Sequence, residues 1–420
     1  MLRGASFPVI AAYNETLVLE ALRRTDAGLS RVALSRETAL SAQTVSNVSR
    51  RLLERGLIRE VGRQRTHGPG QPPITLRLDP EGVYAIGVHL DPSVITCVLL
   101  DFTGAVVAEE HRVPPDSGDP AATVALTTGA IAALVERLGD AAERITGIGI
   151  AAPGPIDAVE GVVVRPRLVP GWSDLHLRDE VREVFDLPVV LAKDVVAAAV
   201  AESWRNPAEP GASYAVVYWG TGVGVGLVLD GEVHTGSTQN AGDVGHAIVD
   251  PEGPVCVCGR RGCFGEVVRP YRMVVEGLQK GAVPLPDGVV WGPADPSPTL
   301  PVETIRELFG ALAGAAADGD AVAREVVDHA IRSTALYVTN LVALLDLERV
   351  VFGGPSWAPI AGRVLELLPQ EIGSTPAEAV AHQVEIVASE VGPDAAAVGA
   401  ACLLLAQRFS PRSMLREPGR

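Results

Sequence analysis

Hydrophobic residues recur at helical spacing in three short segments near the start of the chain, at 14–25, 30–40 and 41–56. The apolar positions that would share one face of each helix are, in chain order, Leu17, Val18, Leu19 and Leu22, then Val32, Leu34 and Leu40, then Val45, Val48, Leu52 and Leu53. Ser41 is a suitable N-cap for the third segment, and Gly56 is a stop signal behind it. The pattern predicts two helices, a tight turn and a third helix whose outer face is polar.

Polar side chains on that third helix suit a DNA groove, because amide and guanidinium groups can hydrogen-bond base edges and phosphates. Residues 57–79 follow as two β-rich arms around a tip of Gly, Pro and Arg, the profile of a wing. We therefore predict a winged helix-turn-helix domain over residues 1–80. The alternative is three ordinary packing helices whose polar face is only solvated.

After residue 80 the chain becomes rich in Gly, Val and Ala and contains a weak internal repeat. "YAIGVHLDPSVITCVLLDFTG" begins at Tyr84, and "YAVVYWGTGVGVGLVLDGEVHTG" begins at Tyr214. Each copy reads as strand, turn, strand, Asp-containing turn and strand, and helical stretches lie around 120–138 and 194–205. The repeat predicts two α/β lobes related by duplication, with a ligand cleft between them.

Charge is distributed unevenly along the chain, whose net charge is −16. Residues 1–80 hold 12 arginines and no lysine against seven acidic residues, a net charge of +5, so the remainder carries −21. A basic head on an acidic body favours a local nucleic-acid interface rather than a generally adhesive surface.

Length and hydropathy point to a soluble protein of two or three domains, since 420 residues with 47% hydrophobic content can bury a large core. No apolar run approaches the roughly 18 residues that a membrane span requires. The start of the chain has only about seven apolar positions before Asn14 and Glu15, too few for a secretory signal, so we expect a cytoplasmic protein without membrane contact.

The turn of the second hairpin is glycine-rich and predicts a phosphate-binding loop. Its candidate residues are Gly220, Thr221, Gly222 and Gly224, where bare backbone amides and one hydroxyl can approach a phosphate. A purely steric role for these glycines is the alternative. The corresponding turn of the first hairpin, "LDPSVIT", has no glycine, and Pro92 lacks an amide donor.

Three of the five cysteines cluster with a histidine in "GHAIVDPEGPVCVCGRRGC", residues 245–263. The spacing H-x9-C-x-C-x4-C supplies four zinc ligands, His246, Cys256, Cys258 and Cys263. Four protein ligands leave no open coordination position, so the predicted Zn²⁺ is structural. Unrelated reduced cysteines beside a satisfied histidine, or a redox role, are the alternatives.

These motifs together resemble the ROK family of repressors, open reading frames and sugar kinases. The resemblance runs nearly end to end, through "GIGIAAPGPID", "PVVLAKDVVAAAVAE", "GTGVGVG", "AGDVGHAIVDPEGPVCVCGRRGC", "VVFGGPSW" and "AVGAACLLLAQ". It implies an α/β, actin- and hexokinase-like two-lobed body. On that fold we expect the first lobe at 81–200, completed by a helix at about 395–410, and the second lobe with its zinc loop at 201–394.

The resemblance also implies a set of ligand contacts between the lobes. Asp194 matches the general base of the family's kinases and is interpreted as vestigial here; Lys193 replaces the usual asparagine. Asp243 replaces a glutamate beside His246, and Glu266 lies one position later than the family's glutamate. These five residues are the predicted ligand-binding set, for a sugar or phosphosugar.

The first phosphate loop of the family's kinases, D-x-G-x-T, has become "DPSVI" in this chain, and those kinases usually lack a DNA-binding head. We therefore expect a transcription regulator of carbohydrate metabolism, a repressor without enzymatic activity, with a residually active sugar kinase as the alternative. Two heads of a homodimer or homotetramer would read a pseudo-palindromic site in double-stranded DNA. The predicted DNA contacts are Arg31, Gln43, Thr44, Ser46, Asn47, Arg50, Arg63, Arg65 and Gln71, the last at a wing position where relatives often carry arginine.

Overall fold

The computed structural model describes residues 7–63, 73–114, 119–166, 169–172, 174–206, 211–286, 289, 300–373 and 382–411. Its N-terminal part is a helical head with a small antiparallel sheet of order β1-β3-β2. The elements of the head are α1 (Phe7–Arg23), β1 (Leu29–Ser30), α2 (Arg31–Thr38), α3 (Ala42–Glu54), β2 (Ile58–Arg63) and β3 (Ile74–Leu78).

The three predicted helices of the head are confirmed, and so is the cap of the third. The Ser41 hydroxyl accepts a hydrogen bond from the Thr44 amide at 3.1 Å, and Gly56 adopts a positive φ behind α3. The expected burial of Val32 is wrong, because its side chain is 69% exposed on α2 while Leu34 fills the interior. A helix of eight residues makes two turns, so the pattern alone leaves its buried face poorly defined.

A first five-stranded sheet follows, in the order β10-β7-β4-β5-β6. Strands β4, β7 and β10 are parallel, and β5 and β6 continue the sheet as an antiparallel meander. The elements of this region are β4 (Tyr84–Leu90), β5 (Ile95–Leu100), β6 (Val106–Arg112), α4 (Pro120–Leu138), β7 (Ile145–Ala152), β8 (Ile156–Asp157), β9 (Val162–Val163), α5 (Leu177–Phe185), β10 (Val189–Lys193) and α6 (Asp194–Arg205).

A second five-stranded sheet has the order β13-β12-β11-β14-β15. Strands β11, β14 and β15 are parallel, and β12 and β13 form the antiparallel meander. The elements are β11 (Tyr214–Trp219), β12 (Val223–Leu229), β13 (Glu232–His234), α7 (Phe264–Val268), α8 (Pro270–Lys280), α9 (Val302–Asp318), α10 (Ala321–Leu345), β14 (Arg349–Gly353), α11 (Ala361–Gly373), β15 (Glu385–Ala388) and α12 (Ala395–Phe409).

The two sheets have the same strand order and the same mixture of parallel and antiparallel pairs, as the internal repeat predicts. Each begins with a hairpin opened by a tyrosine, Tyr84 or Tyr214, and each adds two parallel strands beyond it. The body is therefore a duplicated, two-lobed α/β fold behind a helix-turn-helix head.

Helices α6 and α12 pack against each other between the two sheets. Close backbone approach is built into the crossing, because a Cβ placed on Gly399 would lie 1.7 Å from the Ala197 carbonyl oxygen. Helix α6 covers the second sheet, where Gly226 of β12 lies against Val195 and Ala199, and α12 covers the first sheet. The predicted lobe boundary between residues 200 and 201 stays a prediction; α6 spans it.

The head and the first lobe share one hydrophobic core. A single cluster of buried side chains runs from the head helices, with Leu22 and Leu52 among its members, through Phe102 of the first lobe to Cys402 and Phe409 of α12. Phe102 and Phe409 contact each other edge to face, with ring centroids 4.8 Å apart. The head therefore packs on the body instead of hanging from a tether.

Helix α4 begins the one described stretch, Pro120–Arg144, that is long and apolar enough to cross a membrane by length and composition. The inner face of the helix packs on β5 and β6 of the first sheet. Its buried residues are Thr123, Thr127, Ala130, Ile131 and Leu134. Packing on a sheet accounts for the apolar residues of its inner face, while only 28% of the apolar window is buried.

Candidate DNA-binding helix, metal cluster and interlobe cleft

Helix α3 is strongly amphipathic, with Val45, Val48 and Leu52 fully buried beneath it. Its outer face carries the five residues predicted to contact a DNA groove: Gln43, Ser46 and Arg50 are exposed, and Thr44 and Asn47 are partly buried. The Asn47 side-chain oxygen accepts from Gln43 at 3.3 Å and from Arg50 at 3.4 Å. The head thus presents a contiguous polar surface of amide and guanidinium groups.

Ion pairs hold α3 against α1. Glu15 of α1 accepts from Arg51 at 2.9 Å and from Arg55 at 2.7 Å. The pairing gives Arg51, which the helical pattern places on the polar face, a structural partner within the head.

The remaining predicted DNA contacts lie around the wing. Arg31 at the start of α2 forms an exposed ion pair with Glu60 of β2 at 3.4 Å. Arg63 is the last residue of β2, and Arg65 and Gln71 lie outside the described residues. Strands β2 and β3 pair antiparallel, as expected for a wing.

The cysteine segment folds back on itself and brings its four candidate ligands together. Isolated bridges join Ile248 to Cys263 and Val255 to Arg261, and Gly262 makes the turn with a φ of 63°. A side chain at Gly262 would collide with the Asp250 carbonyl, since a Cβ there would lie 1.4 Å from its oxygen. Glycine is therefore required where the loop closes.

The ligand atoms of His246, Cys256, Cys258 and Cys263 all lie within 4.8 Å of one another. His246 Nδ1 is 3.5 Å from the Cys256 sulfur, and the Cys258 and Cys263 sulfurs are 3.5 Å apart. Donors of a tetrahedral zinc ion lie about 3.6–3.8 Å apart, given Zn–S and Zn–N bonds of about 2.3 and 2.1 Å. The cluster therefore fits a four-coordinate metal.

The thiols of the cluster differ in acidity. A hydrogen bond from the Arg260 backbone lowers the pKa of Cys258 to about 6, whereas burial raises the pKa of Cys263 to about 12. A bound cation would stabilise all three thiolates, because metal coordination deprotonates a thiol outright.

Between the lobes lies a cavity of about 320 Å³, at the carboxyl ends of β4, β10 and β11. Ligands of α/β proteins bind preferentially at such strand ends. All five residues predicted to contact a ligand line this cavity, together with three of the predicted phosphate-loop residues: Lys193, Asp194, Asp243, His246, Glu266, Gly220, Gly222 and Gly224. His246 lines the cavity and also belongs to the metal cluster, so the loop and the cleft are adjoining parts of one site.

Asp194 is the first residue of α6, and its carboxylate accepts from the Val195 amide at 2.8 Å. Burial raises the pKa of Asp194, while the charges of His89 and Lys193 act in the opposite direction. A buried carboxyl with a raised pKa is typical of a functional position, although structural networks produce such shifts too.

Lys193 crosses the cleft from the first lobe to the second. Its amine donates to the Asn240 carbonyl at 3.4 Å and lies 3.9 Å from the Asp243 carboxylate. Asn240 also binds the Ile156 backbone, accepting from its N–H and donating to its C=O at 2.8 Å each. The lobes are thus joined by direct contacts beside the cavity.

The two hairpin turns also touch each other. The Thr221 hydroxyl of the second turn donates to the Asp91 carboxylate of the first at 2.6 Å. The amide of Ser93 donates to the same carboxylate oxygen at 2.8 Å. Asp91 is therefore engaged within the protein at the position where the two turns meet.

Sequence reasoning missed the arginines behind Glu266. The Glu266 carboxylate is buried and accepts from Arg269 at 3.2 and 3.4 Å, and Arg272 donates to one of the same two oxygens. Arg269 lies three positions after Glu266, and Arg272 three positions after Arg269; this helical spacing is the signal that could have identified them. Glu266 thus lies in the cleft wall as a member of an ion-pair network.

Comparison with known families gives this architecture a context. The sequence model described as the ROK family matches residues 85–407, and one described as winged helix-turn-helix DNA-binding matches residues 13–59. The chain belongs to the ROK family. The predicted family and fold class are therefore confirmed, head and body together.

Both regulators and kinases are among the curated ROK relatives. A xylose repressor of Caldicellulosiruptor bescii is 27% identical over 404 residues, covering 94% of this chain and 96% of its own. A glucokinase of Halalkalibacterium halodurans is 29% identical over 329 residues, covering 77% of this chain and 96% of its own. The repressor therefore matches a much larger share of the chain than the kinase does.

A solved structure covers nearly the whole fold. The crystal structure of a ROK family transcriptional regulator, described as a homologue of the E. coli MLC protein, has a TM-score of 0.74 and 23% identity. It covers 97% of this chain and 98% of its own. The arrangement of head and body in this chain is therefore a known ROK architecture.

Proposed function

We propose that this ROK protein is a DNA-binding transcriptional regulator, acting as a repressor on a pseudo-palindromic operator in double-stranded DNA. The observation that carries the proposal is the exposed polar face of α3 on a head that packs against a ROK body. Gln43, Thr44, Ser46, Asn47 and Arg50 enter the major groove, and Arg31, Arg63, Arg65 and Gln71 act around the wing.

A small molecule bound in the interlobe cavity controls the DNA-bound state. A sugar or phosphosugar is the effector class, supported by the names of the xylose repressor and glucokinase relatives. Lys193, Asp194, Asp243, His246 and Glu266 contact it, and the turn at Gly220 to Gly224 lies alongside. A ligand with different affinities for the closed and open lobes shifts the equilibrium between them.

The histidine and three cysteines hold a structural Zn²⁺. The distances between their ligand atoms support tetrahedral coordination, and the metal would hold residues 246–263 against the cleft wall. Because His246 reaches both the cluster and the cavity, the metal fixes the orientation of a cleft side chain.

Two heads are needed for a two-fold symmetric operator, so the working form is a homodimer or homotetramer. The protein acts in the cytoplasm on genes of carbohydrate metabolism. Reading DNA with a short helix gives few base contacts per head, and pairing two heads multiplies the discrimination against wrong sites.

Sugar phosphorylation is the second candidate function, favoured by the placement of Asp194 in the cleft and by the glucokinase relative. The contact between Asp91 and Thr221 argues against it, because nucleotide phosphates would have to displace that contact to lie between the two turns. We propose that the chain is not an enzyme.

The test is selection of bound fragments from genomic DNA by the zinc-loaded protein at near-physiological salt. We expect the natural protein to enrich a two-fold symmetric site. The variant Arg50→Ala, altered on α3, should bind that site about 10-fold more weakly. The matched control is Arg306→Ala, an exposed arginine of α9 on the body, which should bind as the natural protein does. Absence of enrichment, together with ATP turnover on a sugar panel, would overturn the regulator in favour of the kinase.

A further inference from the structure

Arg23, the last residue of α1, joins the head to the body. Its guanidinium lies over the ring of Trp204, 4.4 Å from the ring centroid, and donates to the Trp204 carbonyl oxygen. Trp204 lies near the end of α6 and is 9% exposed. A guanidinium stacked on a buried indole is among the stronger cation–π arrangements.

Other bonds fix the orientation of the Arg23 guanidinium. Glu20, one turn earlier in α1, accepts from Arg23 at 2.9 and 2.8 Å in a two-pronged contact. Burial raises the pKa of Glu20, but hydrogen bonds and charge from Arg23 and Arg24 outweigh it, so that the pKa is lowered overall. The Arg23 side chain is 10% exposed, whereas neighbouring Arg24 is 41% exposed and donates to the same Glu20 carboxylate at 2.9 Å.

Trp204 also packs against the first lobe. Gly104 follows β5 with a φ of 87°, and a Cβ there would lie 2.6 Å from the indole nitrogen. The Gly104 carbonyl accepts from Arg205 at 3.1 Å. Trp204 is therefore clamped between the head and the β5–β6 turn, with little freedom to change rotamer.

Helix α6 connects this clamp to the cleft. It begins at Asp194 in the cavity wall and ends at Arg205, a rise of roughly 17 Å. Most of its residues are buried, and it crosses α12 at backbone contact distance. A helix held on all sides moves as a rigid body, so a displacement of its cleft end is accompanied by a displacement at Trp204.

We propose that Arg23 is a positioning residue for DNA recognition. Arg23 clamps the head to the end of α6, whose other end lies in the cleft. The distance and angle between the two recognition helices of an oligomer therefore depend on the position of the cleft end of α6. The inference rests on the proposed DNA-binding function. Arg23 itself need not touch DNA: it fixes where α3 is held.

The decisive experiment measures how binding depends on the spacing of half-sites. Duplexes carrying the selected operator are prepared with base pairs inserted or removed between its halves. The natural protein should prefer one spacing by 10-fold or more. Arg23→Ala should bind the other spacings nearly as well, while its affinity for an isolated half-site is unchanged. Arg24→Ala, with the same charge change one residue away, should keep the sharp preference.

A spacing profile for Arg23→Ala that matches the natural protein would overturn the proposal. If Arg23→Ala fails to fold, Arg23→Lys keeps the charge but loses the planar stack and should broaden the profile as well. If no form of the protein binds DNA, the proposed function fails. Hydrogen exchange then tests separately whether Arg23 clamps the head to the body. Amides of α1 and α3 should then exchange about 10-fold faster in the Arg23 variant than in the Arg24 variant, and equal rates would refute the clamp.

Discussion

Replacing Gly399 by alanine should destabilise the protein, although alanine is the better helix former. The new Cβ would lie 1.7 Å from the Ala197 carbonyl oxygen and 2.4 Å from its carbon, where real Cβ contacts stay above 3.0 Å. Helices α6 and α12 would therefore have to separate by more than 1 Å. Both obstructing atoms belong to the backbone, so no side-chain rotation can relieve the contact.

Overpacking of this kind costs about 3 kcal/mol, and the helix propensity gained on replacing glycine by alanine returns about 1 kcal/mol. We expect a net loss of about 2 kcal/mol in the free energy of unfolding of the first lobe. Urea unfolding, followed by tryptophan fluorescence, gives the value from the shift of the midpoint and the slope.

Gly129→Ala is the matched control, because Gly129 lies within α4 and nothing lies within 4 Å of a Cβ there. That variant should gain about 0.5–1 kcal/mol from reduced freedom of the unfolded chain. If both variants shift stability in the same direction, the close approach of α6 and α12 is not what constrains residue 399.

Three further predictions concern the site and its supports. Hydrogen bonding to Glu276 and the charge of Asp250 raise the pKa of His329 above its ordinary value of 6.5, so His329 should stabilise the fold below about pH 6.5 and lose that effect as pH rises through the raised pKa. The difference in the free energy of unfolding between the natural protein and His329→Gln should therefore shrink as the pH is raised from 5 to 9. A difference that stays constant would contradict this. Cys256→Ser should lose bound zinc in metal analysis of the purified protein; retention of one equivalent would exclude Cys256 as a ligand. Asn240→Ala should cost about 1–3 kcal/mol in urea unfolding, because two backbone groups of the opposite lobe lose their partner; an unchanged midpoint would show that water replaces the amide.

Local patterns predicted much of the fold. The capped third helix, the paired hairpins and the cysteine loop each depend on residues near one another in sequence, and the structure contains all three. Val32 shows the limit of such reasoning, since a two-turn helix leaves several faces compatible with one pattern. The DNA, ligand and metal roles assigned to individual residues remain predictions.

Contacts between distant segments could not be predicted in the same way. Asp91 and Thr221 occupy equivalent positions in the two copies of the repeat. Equivalent positions in two copies need not contact each other, and the sequence does not show that these two residues do. Nor does any local signal reveal that Arg23 would reach Trp204, 181 positions away. Such contacts arise from the packing of whole elements.

The place of α12 on the first sheet has a consequence for biosynthesis. The strands it covers end with β10, and α12 is translated about 200 residues later, which at ribosomal speeds takes roughly 10–40 s. During that interval one apolar face of the first sheet emerges without its natural cover. The nascent chain therefore needs a temporary partner for that face, and truncation before residue 395 should yield insoluble protein rather than an independently folded lobe.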